Sequence, residues 1–208
     1  MNILVIGSRG IGREVIKQGL DMGHSIRVLS RHPEDLKITN AKLSFFRGDA
    51  MKPEDVNEAS KSMDIIVSAI GVPPSNKEIN VFSVSVQNII NAARNNHVKL
   101  FISVTGIGAG DTKGHGGFFY DKIINPLLLK KVYEDKDRQE LLLKQSDINW
   151  IIVRPGFLTN GPITQHYRVL TDLSGVKSGN ISRADCAHFI LSQAASRTYI
   201  KQAPLITY

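Results

Sequence analysis

A glycine-rich segment near the start of the chain has the residue types and spacing of a phosphate-binding loop. Gly7, Gly10 and Gly12 stand in the run Gly7-Ser8-Arg9-Gly10-Ile11-Gly12, directly after the apolar run Ile3-Leu4-Val5-Ile6. Gly7 permits a tight turn there, Gly10 lets the backbone approach a pyrophosphate, and the amides that open the following helix attract its charge. The spacing predicts a dinucleotide-binding loop. A turn without a ligand is the alternative, because any strand-to-helix turn can use glycine.

The residues after the second predicted strand indicate which dinucleotide is bound. Sites that prefer NAD typically place an Asp or Glu there to hold the ribose hydroxyls, whereas this chain has Ser30-Arg31-His32 and reaches its next carboxylate at Glu34. A guanidinium can bind a 2′-phosphate bidentately. Arg9, in the glycine loop, would add a second positive charge. We therefore predict NADP(H) as the cofactor, with Arg31 and His32 in its site; a solvated surface arginine is the alternative for Arg31.

Strands that alternate with helices are expected to position this loop. Short β-branched or apolar runs predict six strands, at residues 3–6, 25–30, 43–47, 64–69, 100–104 and 149–153. Helical spacing and capping residues predict helices at residues 10–22, from Pro53, at 80–96, within 125–145 and from the N-cap Ser182. This order predicts an α/β fold, Rossmann-like and doubly wound, with a mostly parallel sheet and helices on both faces. Residues 1–208 are expected to form a single domain.

Composition and charge exclude several other classes of protein. The chain has 208 residues, 42% of them hydrophobic, and no apolar run approaches the roughly 20 residues that span a bilayer. It lacks a signal-peptide pattern, its one cysteine cannot form an internal disulfide, and its histidines lack metal-ligand spacing. The charge of +7 is dispersed along the chain, which disfavours nucleic acid as a partner. We expect a cytoplasmic protein, a monomer or small homo-oligomer, without a metal or a membrane.

Several segments together resemble the atypical short-chain dehydrogenase/reductase proteins. They are residues 7–12, Arg31, Gly48-Asp49, Ser68-Ala69-Ile70-Gly71, Arg154-Pro155-Gly156 and the C-terminal stretch at residues 181–191. Within that superfamily the chain is most similar to the NmrA-like group, nearest the branch of NADPH-dependent biliverdin-IXβ/flavin reductases. The resemblance covers nearly the whole chain. It is specific for fold and cofactor and much less specific for substrate.

The resemblance implies a set of cofactor contacts along one edge of the sheet. It implies Gly7, Ser8, Arg9, Gly10, Ile11 and Gly12 at the pyrophosphate, Arg31 at the 2′-phosphate, Asp49 and Ala50 against the adenine, Ala69, Ile70 and Gly71 along the central sugar and phosphates, and Val104, Thr105, Pro155 and Gly156 beside the nicotinamide. The chain departs from the family pattern twice. The third loop glycine comes one residue early, at Gly12, and Gly156 stands where the reductase branch can place a histidine. The second departure counts against transferring biliverdin-reductase activity.

Two residues are candidates for chemistry beside the hydride. Usual short-chain dehydrogenases pair a Tyr with a Lys four residues later, so that the Lys lowers the pKa of the Tyr. Here Lys136 follows Tyr133 by three residues, which leaves both on roughly one helix face; a solvated face is the alternative. Lys136 also matches a lysine position of the NmrA-like group. Thr105 follows the fifth strand at the ligand-binding edge of the sheet. We predict Thr105 and Lys136 as catalytic residues.

The resemblance implies direct hydride transfer to a planar acceptor. Phe118, Phe119, Tyr120 and Phe157 are expected to form an apolar pocket with residues 106–117 at its rim; core packing is the alternative for Phe157. The predicted function is an NADPH-dependent reductase whose small-molecule acceptor is a flavin, quinone or bilin. A non-catalytic NADP(H)-binding sensor or regulator of the NmrA-like type stays open, because no complete proton relay is visible. A sugar-nucleotide epimerase is disfavoured, since the region after Pro155 is short for a large substrate domain.

Overall fold

A mostly parallel sheet forms the centre of the fold. The computed structural model describes residues 1–73, 75, 77–117 and 129–208. Within these ranges the strands are β1 (Asn2–Ile6), β2 (Ser25–Ser30), β3 (Leu43–Arg47), β4 (Ile65–Ser68), β5 (Leu100–Val104), β6 (Trp150–Pro155), β7 (Phe157–Thr159), β8 (Arg168–Leu170), β9 (Asn180–Ser182) and β10 (Leu205–Thr207). Eight of these strands form one sheet in the order β3-β2-β1-β4-β5-β6-β10-β8, and β7 pairs with β9 apart from it.

The strand order reverses direction at β1, and this reversal locates the ligand-binding crevice. β1 pairs in parallel with β2 on one side and with β4 on the other, so that Ile3 lies opposite Ile26 and Ile65. β10 continues the parallel pairing beyond β6, whereas β8 runs antiparallel to β10 at the sheet edge. Open α/β sheets bind ligands outside the carboxyl ends of their strands at such a switch point. The predicted fold class is confirmed.

Helices cover both faces of the sheet, because the strands are apolar on both sides. The described helices are α1 (Ile11–Asp21), α2 (Pro53–Ala59), α3 (Val81–Asn95), α4 (Lys130–Lys144) and α5 (Arg183–Ser196). Ile3 and Val5 of β1 pack on one face against α1 and α5. Leu4 and Ile6 pack on the other face against α2, α3 and α4. Alternate residues of one strand therefore contribute to two separate cores, as expected for a buried parallel strand.

Local sequence signals located most of the helix ends. The Ser182 hydroxyl accepts a hydrogen bond from the Asp185 amide at 2.9 Å, so this residue is the N-cap of α5 as predicted. The leucine-rich helix predicted at 125–145 is described from Lys130 onward, and residues 125–128 lie outside the described part of the chain. Among the described helices, none has the length and hydropathy that crossing a bilayer requires. The short strands after residue 155 were not predicted, because three-residue strands carry little periodicity.

Candidate functional site

A cleft of about 770 Å³ opens at the carboxyl ends of β1, β4, β5 and β6. It brings together nearly all the predicted site residues from distant parts of the chain. The predicted residues in its lining are Gly7, Ser8, Arg9, Gly10, Ile11, Arg31, His32, Asp49, Ala50, Ala69, Ile70, Gly71, Val104, Thr105, Lys136, Pro155 and Gly156. Parallel strands deliver these residues to one edge of the sheet, so the clustering follows from the topology.

The glycine loop forms the floor of the cleft between β1 and α1. Gly7 has φ +97°, and a Cβ there would lie 2.6 Å from the Ala69 carbonyl oxygen on the neighbouring strand end. Gly10 is the N-cap of α1 with φ 51° and ψ −120°, a backbone conformation that suits glycine. Gly7 therefore allows a turn and a close approach of two backbones, and Gly10 allows the positive φ at the start of α1.

Gly12 has a different place from the other loop glycines. It is buried in the first turn of α1, and the cleft lining does not include it. A Cβ at this position would lie 1.8 Å from the carbonyl oxygen of Gly7. Gly12 therefore lets the helix pack closely against the loop, whereas the sequence had suggested that it contacts the pyrophosphate.

The end of the cleft beside β2 carries two arginines, Arg9 and Arg31. Arg31 and His32 are exposed in its lining, and within the described residues no carboxylate lies in ion-pair distance of the Arg31 guanidinium. Arg9 is paired with Asp35 at 3.0 Å, in an ion pair whose side chains are 87% and 50% exposed. Such an exposed pair contributes little free energy, so its partners exchange readily. Sequence reasoning missed Asp35, which follows β2 in the chain and lines the cleft together with Arg9.

A hydrogen bond to its backbone holds Arg31 in place and does not involve its guanidinium. Arg47, on the neighbouring strand β3, donates a hydrogen bond to the Arg31 carbonyl oxygen at 3.3 Å. Its other terminal nitrogen pairs with Glu34 at 2.7 Å. Glu34, the carboxylate nearest in sequence to Arg31, is therefore paired with Arg47. It does not neutralise the Arg31 guanidinium, which can bind an anionic ligand.

At the opposite end of the cleft, Lys136 of α4 reaches the end of β5. Its ammonium donates a hydrogen bond to the carbonyl oxygen of Thr105, and it lies 5.8 Å from the ring centroid of Tyr133. Burial lowers the pKa of Lys136 to about 8, although the carboxylate of Glu140 acts in the opposite direction. Tyr133 and Lys136 both line the cleft, so the alternative of a solvated helix face does not hold for this pair.

The hydroxyl of Thr105 belongs to a buried polar network beneath the cleft. It donates a hydrogen bond to Glu140 Oε1 at 2.8 Å. Glu140 is in turn held by Arg154, whose Nε and Nη2 donate at 3.0 and 2.6 Å. Burial alone lowers the pKa of Arg154, but its contacts with Glu140 and Asp111 outweigh that effect and raise it. The Thr105 proton is therefore directed to the buried Glu140.

Apolar side chains complete the cleft around Lys136. Ile107, Phe157 and Leu158 line it together with Val81, which begins α3. Phe157 is half-buried and lies in the cleft wall, as predicted, so core packing is not its whole role. The other predicted pocket residues, Phe118, Phe119 and Tyr120, lie outside the described residues.

Further residues of the lining were missed by sequence reasoning. Arg183 begins α5 and lies beside Gly10, although the two are far apart in the sequence. The capping signal at Ser182 located the start of the helix, but nothing in the local pattern indicated that α5 would pack on α1. Over the part of the chain that the structure describes, no three His, Cys, Asp or Glu side chains gather as metal ligands would.

The fold and the cleft define an α/β nucleotide-binding protein of the Rossmann type. The chain belongs to the NAD(P)H-binding family, whose model matches residues 7–197. This match confirms the predicted nicotinamide cofactor and agrees with the resemblance to NAD(P)H-dependent proteins. The chain is 29% identical to YhfK of Bacillus subtilis (strain 168), named an uncharacterized sugar epimerase, over 92% of this chain and 87% of that protein.

Solved structures share the same fold at low sequence identity. ChuY, an anaerobilin reductase from Escherichia coli O157:H7, is 20% identical with a TM-score of 0.82, covering 100% of this chain and 97% of that one. A short-chain dehydrogenase/reductase from Veillonella parvula DSM 2008, solved in complex with NADP, is 15% identical with a TM-score of 0.81, covering 100% and 94%. These likenesses establish the fold that the chain shares with them.

Proposed function

We propose that this protein is an NADPH-dependent reductase that transfers a hydride to a planar acceptor of the flavin, quinone or bilin class. The observation that carries the proposal is the layout of the cleft. It runs from the cationic end at Arg31 to an end whose lining includes Lys136 and apolar residues such as Phe157. A dinucleotide with a 2′-phosphate fits the first end, and a flat apolar acceptor fits the second.

The residues of the cleft fit a nicotinamide dinucleotide on their own geometry. A side chain at Gly7 would meet the Ala69 carbonyl oxygen, so the turn there needs glycine and leaves the loop backbone facing the cleft. The start of α1 then presents helix amides to the pyrophosphate. Arg31 would hold the 2′-phosphate, and Ala69, Ile70 and Gly71 would lie along the central part of the cofactor. When bound, NADPH would supply the hydride.

Lys136 is the residue best placed to assist the reaction. An ammonium has three N–H donors, and one of those of Lys136 is directed to the Thr105 carbonyl oxygen. The others serve the nicotinamide end of the cleft, where they orient the cofactor ribose or the acceptor. With its pKa lowered to about 8, Lys136 also holds a transferable proton near neutral pH. Thr105 acts through its carbonyl oxygen by positioning Lys136.

The apolar wall favours a planar acceptor over a sugar nucleotide. Ile107, Phe157 and Leu158 offer flat apolar contact beside Lys136, whereas a sugar requires several hydrogen-bonding partners. ChuY, which shares the fold, is an anaerobilin reductase, and this supports a bilin among the candidate acceptors. Hydride transfer to such molecules requires little beyond placement of the cofactor and an open apolar pocket.

Steady-state turnover with a panel of acceptors tests the proposal. Purified protein is mixed with NADPH and then with FMN, menadione or biliverdin, and the absorbance of NADPH is followed. Saturable consumption of NADPH with at least one acceptor is expected, and the Lys136→Met variant should be slower at the same cofactor saturation. Tight binding of NADPH without consumption in any mixture would contradict the reductase and favour an NADP(H)-binding sensor.

A further inference from the structure

The side chain of Arg183, at the start of α5, lies beside the glycine loop at Gly10. Its Nε lies 3.5 Å, and its Cδ 3.8 Å, from the position that a Cβ on Gly10 would occupy. Both residues line the cleft. Because Gly10 is the N-cap of α1, the guanidinium is beside the helix end at which a pyrophosphate is expected to bind.

Two contacts hold Arg183 there without neutralising it. Its Nη1 donates a hydrogen bond to the side-chain oxygen of Asn160 at 2.7 Å. Arg183 is also the first residue of α5, and the capping hydrogen bond between Ser182 and Asp185 fixes this end of the helix. Asn160 is neutral, and among the described residues no carboxylate forms an ion pair with Arg183. Arg9 differs in this respect, because Asp35 compensates its charge.

We propose that Arg183 is a binding residue for the diphosphate of the dinucleotide, so that loop amides and a guanidinium hold it from two sides. A guanidinium is suited to this task, because its planar set of donors can bind phosphate oxygens bidentately. The diphosphate is common to NADPH and NADH. Arg183 therefore contributes affinity for both cofactors, whereas Arg31 discriminates between them. The inference rests on the proposed function in requiring the dinucleotide in this cleft, and it does not depend on the acceptor.

Equilibrium binding to three probes separates Arg183 from Arg31. Dissociation constants for NADPH, NADH and adenosine 2′-monophosphate are measured by calorimetry for wild type, Arg183→Ala and Arg31→Ala. Arg183→Ala is expected to weaken NADPH and NADH by a similar factor, about tenfold or more, and to leave adenosine 2′-monophosphate unchanged because it has no diphosphate. Arg31→Ala should weaken NADPH and adenosine 2′-monophosphate and spare NADH.

Control variants distinguish a loss of cofactor contacts at Arg183 from an effect on stability or on turnover. Arg13→Ala removes an exposed charge of α1 that the cleft lining does not include, and it should leave all three constants unchanged. Arg183→Lys should retain part of the affinity. An Arg183→Ala variant that binds NADPH as Arg13→Ala does would overturn the inference, and so would equal weakening of adenosine 2′-monophosphate. If wild type binds NADPH but reduces no acceptor, the reductase proposal fails and the role of Arg183 is still decided by these constants.

Discussion

Three arginines line the cleft from separate parts of the chain, and each has a different partner. They are Arg9, Arg31 and Arg183. Arg9 forms an exposed ion pair with Asp35, Arg183 donates a hydrogen bond to the neutral Asn160, and Arg31 is held through its backbone by Arg47. A phosphate that approaches Arg31 meets no ion-paired carboxylate among the described residues, whereas one that approaches Arg9 must compete with Asp35. Discrimination between the two cofactors is therefore expected to depend mainly on Arg31.

Replacing Arg31 with alanine is expected to weaken NADPH much more than NADH. A lost charge-assisted contact costs about 1.5–3 kcal/mol, which corresponds to roughly a ten- to hundredfold rise in the Kd of NADPH. Fluorescence titration of each cofactor measures the two constants, with Arg13→Ala as the matched control. Equal weakening of NADPH and NADH would show that Arg31 does not bind the 2′-phosphate.

The lowered pKa of Lys136 predicts how activity depends on pH. At a pH below the Lys136 pKa of about 8, the side chain is an ammonium, and at a higher pH it loses that proton. If the reaction uses the ammonium, kcat/KM is level on the acid side and falls about tenfold per pH unit on the alkaline side. In Lys136→Arg the guanidinium stays charged, so the alkaline fall should disappear. An unchanged fall in Lys136→Arg would assign that titration to another group.

At the scale of elements, the strand-to-helix turn between β1 and α1 shows where sequence patterns succeed. The apolar run and three glycines predicted the turn, because the residues that the turn requires are neighbours in the sequence. The same pattern did not distinguish Gly10, which lines the cleft, from Gly12, which packs against the Gly7 carbonyl oxygen. That distinction depends on how far the helix axis lies from the loop, which only the packed structure defines.

A methyl group at Gly12 is expected to destabilise the protein. Its Cβ would lie 1.8 Å from the Gly7 carbonyl oxygen, so the helix must move from the loop, at a cost of about 1–3 kcal/mol or more. Gly161→Ala is the matched control, because its nearest neighbour would be 3.6 Å away. Urea unfolding followed by circular dichroism measures both variants. Equal stabilities would mean that α1 and the loop are not in close contact.

At the scale of the whole molecule, the contacts that sequence reasoning missed share one property. Glu140 and Arg154 belong to α4 and β6, and they meet under Thr105 at the end of β5. Arg183 meets Gly10 because α5 packs on α1. Periodicity and capping describe contacts within an element, whereas these pairs depend on which elements become neighbours. The resemblance to a family supplied the cleft residues that follow β3, β4 and β6.

We also propose that residues 1–208 form one domain. The main sheet takes β1 from one end of the chain and β10 from the other, and both are buried in the core. One cooperative unfolding transition is therefore expected by calorimetry, and NADPH at about 100 times its Kd should raise the free energy of unfolding by about 2.7 kcal/mol. Two separate transitions, only one of them shifted by NADPH, would contradict a single domain.

The rate of hydride transfer from isotopically labelled cofactor tests the central proposal most directly. NADPH carrying deuterium on one or the other face of the nicotinamide is bound to the protein, and its consumption by a saturating acceptor is followed in a single turnover. A cofactor held in one orientation between the glycine loop and Lys136 predicts a slower reaction for one labelled face and an unchanged rate for the other. Equal rates for both labels, or no consumption of bound NADPH, would contradict a reductase that transfers hydride in this cleft.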